Sequence, residues 1–432
     1  MQSQPPDSGC RSTMFNILPG PRILLMLLVS IGVACPLAQA QVEFFDLAGD
    51  LTLETRHSPE SGLYPGQTSS ASGFSLTPRL YFENAQGWSF NLTPFLRIDH
   101  VDSERTHMDL RQAYFLMFGD IGDDQWELRL GIDQVFWGVT ESQHLVDIIN
   151  QVDLVENPSA EQKLGQTMVH FTRFGNWGTA ELFVLPFHRP RTFPGAGGRL
   201  RLALPVDPDP ISRAASNDER HIDLAARYSH SFGPLDLGLS VFDGTSREPV
   251  LFPELDAIGS PALLQHYDDI RQYGLDAQLT TGAWLLKLEA IHRSGETNLV
   301  GEQEDYAAAV MGFEYQFQSV FGGTDLSLVS EWNIDARGDR ALPRRNPLTL
   351  QNDLAVLTRF GFNDVSGSEL TIGVIRDMER DSQLAAVEFS RRLTDRWSIS
   401  LEWYGLLEID PDEIFYQARR DSFFELSLSL FL

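Results

Sequence analysis

Ser142, His144 and Asp147 place a hydroxyl, an imidazole and a carboxylate close together in the chain, and Glu141, His144 and Asp147 offer three groups that bind metal ions. A histidine-activated serine would attack a carbonyl, and a histidine with two carboxylates would hold a cation. Neither pattern is specific. The chain carries no Gly-x-Ser-x-Gly elbow, no His-Glu-x-x-His and no phosphate loop. Leu145, Ile148, Ile149 and Val152 lie at helical spacing in the same run, which predicts a short helix tucked against a wall. The chemistry better supported is electrostatic. Glu141, Asp147, Asp153 and Glu156 form an acidic run, and Arg79, Arg97, Arg111 and Arg129 precede it at intervals. If the two sets face each other, they create a transverse field at a narrow point. Trp137, Gly138 and Asn150 are read as structural anchors of the run. No catalytic residue, metal ligand or cofactor site is assigned.

The elements that must position these groups read as strands. Phe74, Leu76, Pro78, Leu80 and Phe82 alternate with Ser75, Thr77, Arg79, Tyr81 and Glu83. Side chains along a strand point alternately to opposite faces, so one face is apolar and the other polar. The same alternation recurs in eighteen segments, with sixteen strands as the nearest alternative count. Links after even-numbered strands are tight, as at Asn84-Ala85-Gln86 and Thr281-Gly282. Those after odd-numbered strands are mostly long and charged, as at 57–72, 137–165, 189–219, 244–268, 294–303, 336–350 and 406–420. This rhythm predicts an all-β fold, a single antiparallel transmembrane β-barrel with a loop inside it after the fifth strand. Trp88, Trp126, Trp284 and Trp397 share the apolar phase just beyond short turns, as an aromatic girdle requires. Inward by phase lie many charges, among them Glu54, Asp99, Asp133, Arg227, Lys287, Glu289, Arg293, Glu331, Arg359, Glu388 and Glu402. A dry core could not hold them all, so the lumen is expected to be wet.

The first forty residues have a different purpose. Arg22, the apolar run Ile23–Ala34 and Ala38-Gln39-Ala40 form an export signal, too short for the roughly 20 apolar residues of a membrane helix. Residues 1–40 are therefore predicted to be a signal peptide and 41–432 the barrel. Gly32 and Pro36 argue against lipidation at Cys35, and Cys10 also falls within the removed segment. The mature chain has no thiol, which excludes disulfide and cysteine–metal chemistry. The formal charge is −27, and becomes −28 when Asp7, Arg11 and Arg22 leave, so nucleic acid is an unsuitable partner.

The run from Gly131 to Asp153 resembles a porin-like bacterial outer-membrane β-barrel family of unknown function. That family carries a Gly-x-x-Gln strand end, Trp-Gly, then Asp-x-x-Asn-x-x-Asp, matched here by Gly131, Gln134, Trp137, Gly138, Asp147, Asn150 and Asp153. It commonly has Asn-Pro before the last Asp, where this chain has Asn150-Gln151-Val152. The last strand, Phe423 to Leu432, resembles the insertion signal of outer-membrane barrels, which more often end in Phe or Tyr. The resemblance and the strand pattern together imply a passive channel in the bacterial cell outer membrane for small hydrophilic solutes or ions, constricted by residues 137–165. A closed barrel with a surface binding or structural role is the alternative, and an outer-membrane hydrolase is disfavoured by the missing motifs. Expected partners are outer-membrane lipid and lipopolysaccharide and the solute itself, with subunit number open and a homo-oligomer one outcome. Divalent cations could gather at acidic outer loops such as Asp207–Glu219 and Glu408–Glu413, although a solvated surface is the commoner use of such loops.

Overall fold

The structure, a computed structural model, describes residues 42–156, 161–208, 221–255, 259–338 and 350–432. The export segment 1–40 and the loop carboxylates Asp209, Asp218 and Glu219 lie outside the described residues. In chain order the first half comprises β1 (Val42–His57), β2 (Ser70–Asn84), β3 (Trp88–Asp99), β4 (His107–Ile121), β5 (Asp124–Asp133), β6 (Gln166–Gly175), β7 (Gly178–Leu185), β8 (Asp223–Phe232) and β9 (Leu235–Thr245). Two short strands follow, β10 (Val250–Leu255) and β11 (Pro261–His266). The second half comprises β12 (Asp269–Thr281), β13 (Trp284–Thr297), β14 (Gln303–Phe317), β15 (Asp325–Asp335), β16 (Asn352–Gly361), β17 (Glu369–Asp377), β18 (Gln383–Arg392), β19 (Trp397–Glu408) and β20 (Phe423–Phe431).

All but β10 and β11 belong to one 18-stranded sheet in which chain neighbours pair, with β9 joined to β12. β20 returns antiparallel to β1, from Asp50 opposite Phe431 to His57 opposite Phe424, and closes the sheet. Closure removes the exposed strand edges that would otherwise have to be covered, and a barrel of this size encloses a lumen. The alternative of sixteen strands is set aside. β10 and β11 form a separate hairpin within the connection 246–268, which the sequence reading left as a charged loop. Its six-residue strands carry Pro253 and Pro261 and too little alternation to stand out.

Alternation assigns the faces as expected. Phe115, Leu182, Trp284, Leu286, Met311, Trp332, Leu401, Phe424 and Leu426 are exposed on the outside, an apolar belt that suits lipid. Trp88 packs on Phe82 and Phe115, and Trp284 on Phe313 and Tyr315, all at the short-turn end. The lumen departs from the expectation. Along β6 to β14, Met168, Phe183, Leu185, Ala225, Phe242, Ile270, Ile291, Tyr306 and Ala308 point inward and form one buried apolar cluster with Trp137, Val146, Ile148 and Ile149. This sector is dry because the loop after β5 packs its own apolar side chains against it, and burial of apolar surface stabilises that contact by roughly 25 cal/mol per Å². Inward charges occur in this sector as well, but they are buried in pairs or bonded to the loop, as with Arg227 and Asp276 at 2.5 Å, Lys287 and Glu141 at 2.7 Å, and Glu289.

Leu286 lies on the outer face, 42% exposed, whereas Arg79 points inward with its side chain 53% exposed. Leu286→Arg should disfavour insertion by about 2–4 kcal/mol near mid-bilayer, read as loss of folded barrel on refolding into liposomes. Arg79→Leu should refold like the parent. Equal losses would mean that the two faces are wrongly assigned.

Candidate functional site

The connection 134–165 begins and ends at neighbouring staves, and Asn150 ties its neck. Its side-chain oxygen accepts the Val135 N–H at 2.8 Å, and its amide donates to the carbonyls of Asp133 and Leu164, both at 2.9 Å. Three bonds from one buried amide hold the outgoing and returning stems together. Gln134 adds a bond to the carbonyl of Lys163. Just before the neck, Gly131 has φ 138, and a Cβ there would stand 2.2 Å from the Ala113 carbonyl oxygen, so only glycine fits this strand end.

From the neck the loop crosses the bore. Trp137 is buried with its ring edge-on to Phe183 at 5.5 Å and under the Arg227 guanidinium at 5.6 Å. Gly138 follows with φ 140, where a Cβ would meet Glu289 Oε1 at 2.8 Å. Glu289, on β13, is fully buried. Its Oε1 accepts the backbone N–H of Val139 (2.7 Å) and of Thr140 (3.0 Å) and the Thr140 hydroxyl (2.7 Å), while Oε2 accepts the Val146 N–H (3.2 Å). Glu331, on β15, does the same for the next residues, accepting the N–H of Glu141 (2.9 Å) and the N–H and hydroxyl of Ser142 (both 2.7 Å). Around the sheet β13 is the sixth stave beyond β5 (β6, β7, β8, β9, β12, β13) and β15 the eighth of eighteen, so the loop reaches the far wall. Glu141 then meets Lys287 on β13 at 2.7 Å and Arg359 on β16 at 3.8 Å.

The predicted helix at 144–152 is absent; these residues form turns and bends. The physical reason is that this stretch is tied to the returning arm: Asn150 bonds both stems, the Leu164 N–H donates to the Gln151 carbonyl and the Asp153 N–H to the Gln162 carbonyl, both at 2.8 Å, while the apolar residues fit the dry sector without helical periodicity. The catalytic and metal patterns in this run are also dispersed, since Ser142 donates to Glu331 and Asp147 pairs with Lys163 on the returning arm. His144 lies edge-on to Phe136 at 4.8 Å.

Two of the four acids reach predicted arginines. Asp153 meets Arg111 at 2.6 Å, and Glu156 meets Arg97 at 2.7 Å. Arg79 instead pairs with Asp50 on β1, and Arg129 with Asp133 at 3.1 Å and Glu127 at 3.5 Å. Acids on the same or a neighbouring stave lie nearer than the loop, so these two arginines are engaged before it arrives. The expected open transverse field is corrected accordingly: the loop meets the wall in contact ion pairs whose fields largely cancel within each pair. Burial pushes the Asp147 carboxyl above its ordinary range despite Lys163. Burial acts on Asp153 in the same sense, but His107, Arg111 and Thr192 bring its carboxyl down to about 2. Each residue of the Asp-x-x-Asn-x-x-Asp spacing thus fastens a different part of the loop: the return arm, the neck and the wall.

A second connection is laced over the first. Thr192 donates to Asp153 at 2.6 Å, the Gly195 N–H to Asp102 at 3.0 Å and the Leu200 N–H to Asp421 at 2.7 Å, with Arg199 also on Asp421 at 2.8 Å. Residues 192–200 therefore join the inner loop to 100–106 and 409–422. The sequence reading missed Glu289, Glu331, Lys287, Lys163 and Thr192 as site residues. Inward phase marks the strand residues among them as wall charges, but nothing in their neighbours distinguishes the ones the loop will reach. Of the acidic outer-loop residues within the described chain, Glu413 pairs with Arg380.

Asn150→Ala removes the neck's shared acceptor and two donors, and leaving buried partners unsatisfied costs about 1–3 kcal/mol each. Limited proteolysis with mass mapping should show cleavage within 134–165 at lower protease concentration than in the parent, in a barrel that remains folded. Parent-like resistance would show that the neck holds without this residue.

No family model matches the chain and no curated protein does. Among solved structures, a mutant of Rh. blastica porin is similar at 10% identity and TM-score 0.43, with 90% of this chain and 100% of that one covered. Pseudomonas putida OprB in its high-pH structure is similar at 11% identity and TM-score 0.42, with 90% and 94% covered. Likeness at this level adds no weight to the barrel, which rests on this chain's own closed strand pairing.

Proposed function

We propose that this barrel is a channel in the bacterial outer membrane for passive diffusion of small hydrophilic solutes or ions, and that residues 137–165 set its narrowest point. The observation that carries this reading is the crossing of the bore by the inner loop, from its neck at β5 to Glu289 and Glu331 on the far wall. The bore is not filled by it. Inward-facing groups beside the crossing remain accessible to water, with Glu141 at 36%, Arg359 at 38% and Glu369 at 46% side-chain exposure. Selectivity in such a path follows from the charges lining it. Glu388, Glu402 and Glu425 face one another directly across β18, β19 and β20. Arg56 neutralises Glu425 at 2.6 Å, but Glu388 and Glu402 have no ion pair among the described contacts, and like charges in that position destabilise a sheet unless water or mobile cations reach them, which supports a preference for cations. The outer-membrane setting is supported by the apolar outer belt and the wet, charged inner wall.

The closed barrel with a surface role remains the second reading, favoured by the dry sector and by the lacing of residues 192–200 over the inner loop. Single-channel recording separates the two. The double variant Glu289→Ala, Glu331→Ala removes the acceptors of seven donor groups and should release the crossing segment, raising unitary conductance. Unchanged conductance in a correctly folded double variant would remove the constriction role, and no conductance in either protein would favour the closed barrel. In a salt gradient the parent's reversal potential should lie on the cation side, and Glu402→Gln should move it toward zero.

A further inference from the structure

The sequence reading assigned no metal ligand, but the fold brings together three groups that local sequence could not connect. His107 opens β4, while Asp153 and Glu156 lie on the inner loop. A turn closed by the Glu156 N–H on the Asp153 carbonyl, at 3.2 Å, turns both carboxylates to one side. His107 Nε2 stands 3.5 Å from Asp153 Oδ2 and 3.5 Å from Glu156 Oε1, and the three ligand atoms all lie within 4.8 Å of one another. Asp153 is 0% and Glu156 7% exposed.

We propose that His107, Asp153 and Glu156 form a binding site for a divalent transition-metal ion of the zinc class, which clamps the inner loop to β4. Several observations converge on it. The contacts at 3.5 Å are long for hydrogen bonds, but they match the separation of about 3.3 Å between neighbouring ligand atoms around a tetrahedral ion with bonds of about 2.0–2.1 Å. Glu156 Oε1 and His107 Nε2 are both buried without a hydrogen-bond partner, and both point into the same space. On the other side of the imidazole, Nδ1 lies 3.2 Å from the Arg105 carbonyl oxygen. An oxygen there can only accept, so Nδ1 carries the proton. In the neutral ring this leaves the Nε2 lone pair facing two carboxylates, an arrangement that a cation relieves and that recurs in metal-binding histidines.

The arginines around the site act as an outer layer. Arg97 Nε stands 2.7 Å from the other Glu156 oxygen, Oε2, as an ion pair, and Arg111 donates to Asp153 Oδ2, whose second lone pair remains available. Both are shared, Arg97 with Glu54 at 2.8 Å and Arg111 with Asp109 at 3.0 Å. Arg105 lies on Glu54 and Asp99, and Arg189 on Asp109. With Arg56, which lies 3.9 Å from Glu54 and 2.6 Å from Glu425, six carboxylates (Glu54, Asp99, Asp109, Asp153, Glu156, Glu425) face five guanidinium groups among the described residues, which leaves one negative charge for a further cation. Three protein ligands leave a fourth position for water.

The test uses the full barrel in detergent, stripped with chelator, and does not depend on whether the barrel conducts. Titration with Co²⁺ should give one equivalent of bound metal with the intense visible absorption of tetrahedral cobalt, displaced by Zn²⁺. His107→Gln and Glu156→Gln should each abolish the spectrum, with strand content by circular dichroism unchanged. In the parent, Zn²⁺ should slow hydrogen exchange in residues 150–156, and chelation should reverse this. Failure of the parent to retain Co²⁺ or Zn²⁺ above the level of the His107→Gln, Glu156→Gln double variant would overturn the proposal. So would a pH-dependent change in exchange at 150–156 that metal does not alter, since a proton on His107 would then be the bridging cation.

Discussion

A loop that runs through the inside of a barrel leaves the hydrogen-bonding ladder of the sheet, yet its backbone N–H groups are buried and need acceptors. In this protein two carboxylates on the far wall, Glu289 and Glu331, meet that need for residues 139–146. Neither has a guanidinium or ammonium group as counter-ion among the described contacts, so each buried charge is stabilised by loop N–H and hydroxyl donors. The dependence is mutual. Without the loop, two ionised groups would lose their donors, and without the carboxylates, the crossing segment would bury unsatisfied N–H groups, each at a cost of about 1–3 kcal/mol. Gly138 belongs to the same arrangement, because a side chain at that position would occupy the space of the carboxylate oxygen.

The crossing divides the interior into two environments. On one side, Trp137, Val146, Ile148 and Ile149 meet inward apolar residues of β6 to β14, and the contact resembles the core of a soluble protein. On the other, ion pairs and water remain, and the arginines of β3 and β4 hold the loop's outer arm through Asp153 and Glu156. The apolar side supplies area-dependent stabilisation with little directional demand, whereas the charged side sets position, since truncating one member of a buried pair leaves the other uncompensated. Arg97, shared between Glu54 and Glu156, therefore serves in attachment rather than solely as a lining charge.

Much of the architecture was legible in the residues. Phe424, Leu426, Glu425 and Ser427 declare by alternation which side of β20 faces out, and that inference depends only on the two-residue period of a strand. Tight links such as Thr281-Gly282 against long ones such as 137–165 declare which ends of the strands carry turns. Asn150 and Trp137 stand out in the sequence as anchor candidates because an amide and a large ring beside glycine have few other uses in a polar run. The partners of those anchors were not legible. Asp133 and Leu164 are joined by Asn150 only once both stems have entered the sheet side by side.

By itself the sequence determined the barrel strands, which of their faces points outward and the place where the inner loop departs, because each follows from periodicity and turn chemistry within a few residues. Tertiary structure alone decided which charges meet, that the loop adopts turns instead of a helix, and that one sector of the lumen is packed with apolar side chains. Those outcomes depend on which staves stand opposite one another after closure. Glu289 lies about 150 residues from Val139, and Glu331 about 190 from Glu141, separations over which a pattern in the chain carries no record of contact. His107 meets Asp153 and Glu156 in the same way, because the loop that leaves β5 folds back onto the neighbouring strand β4.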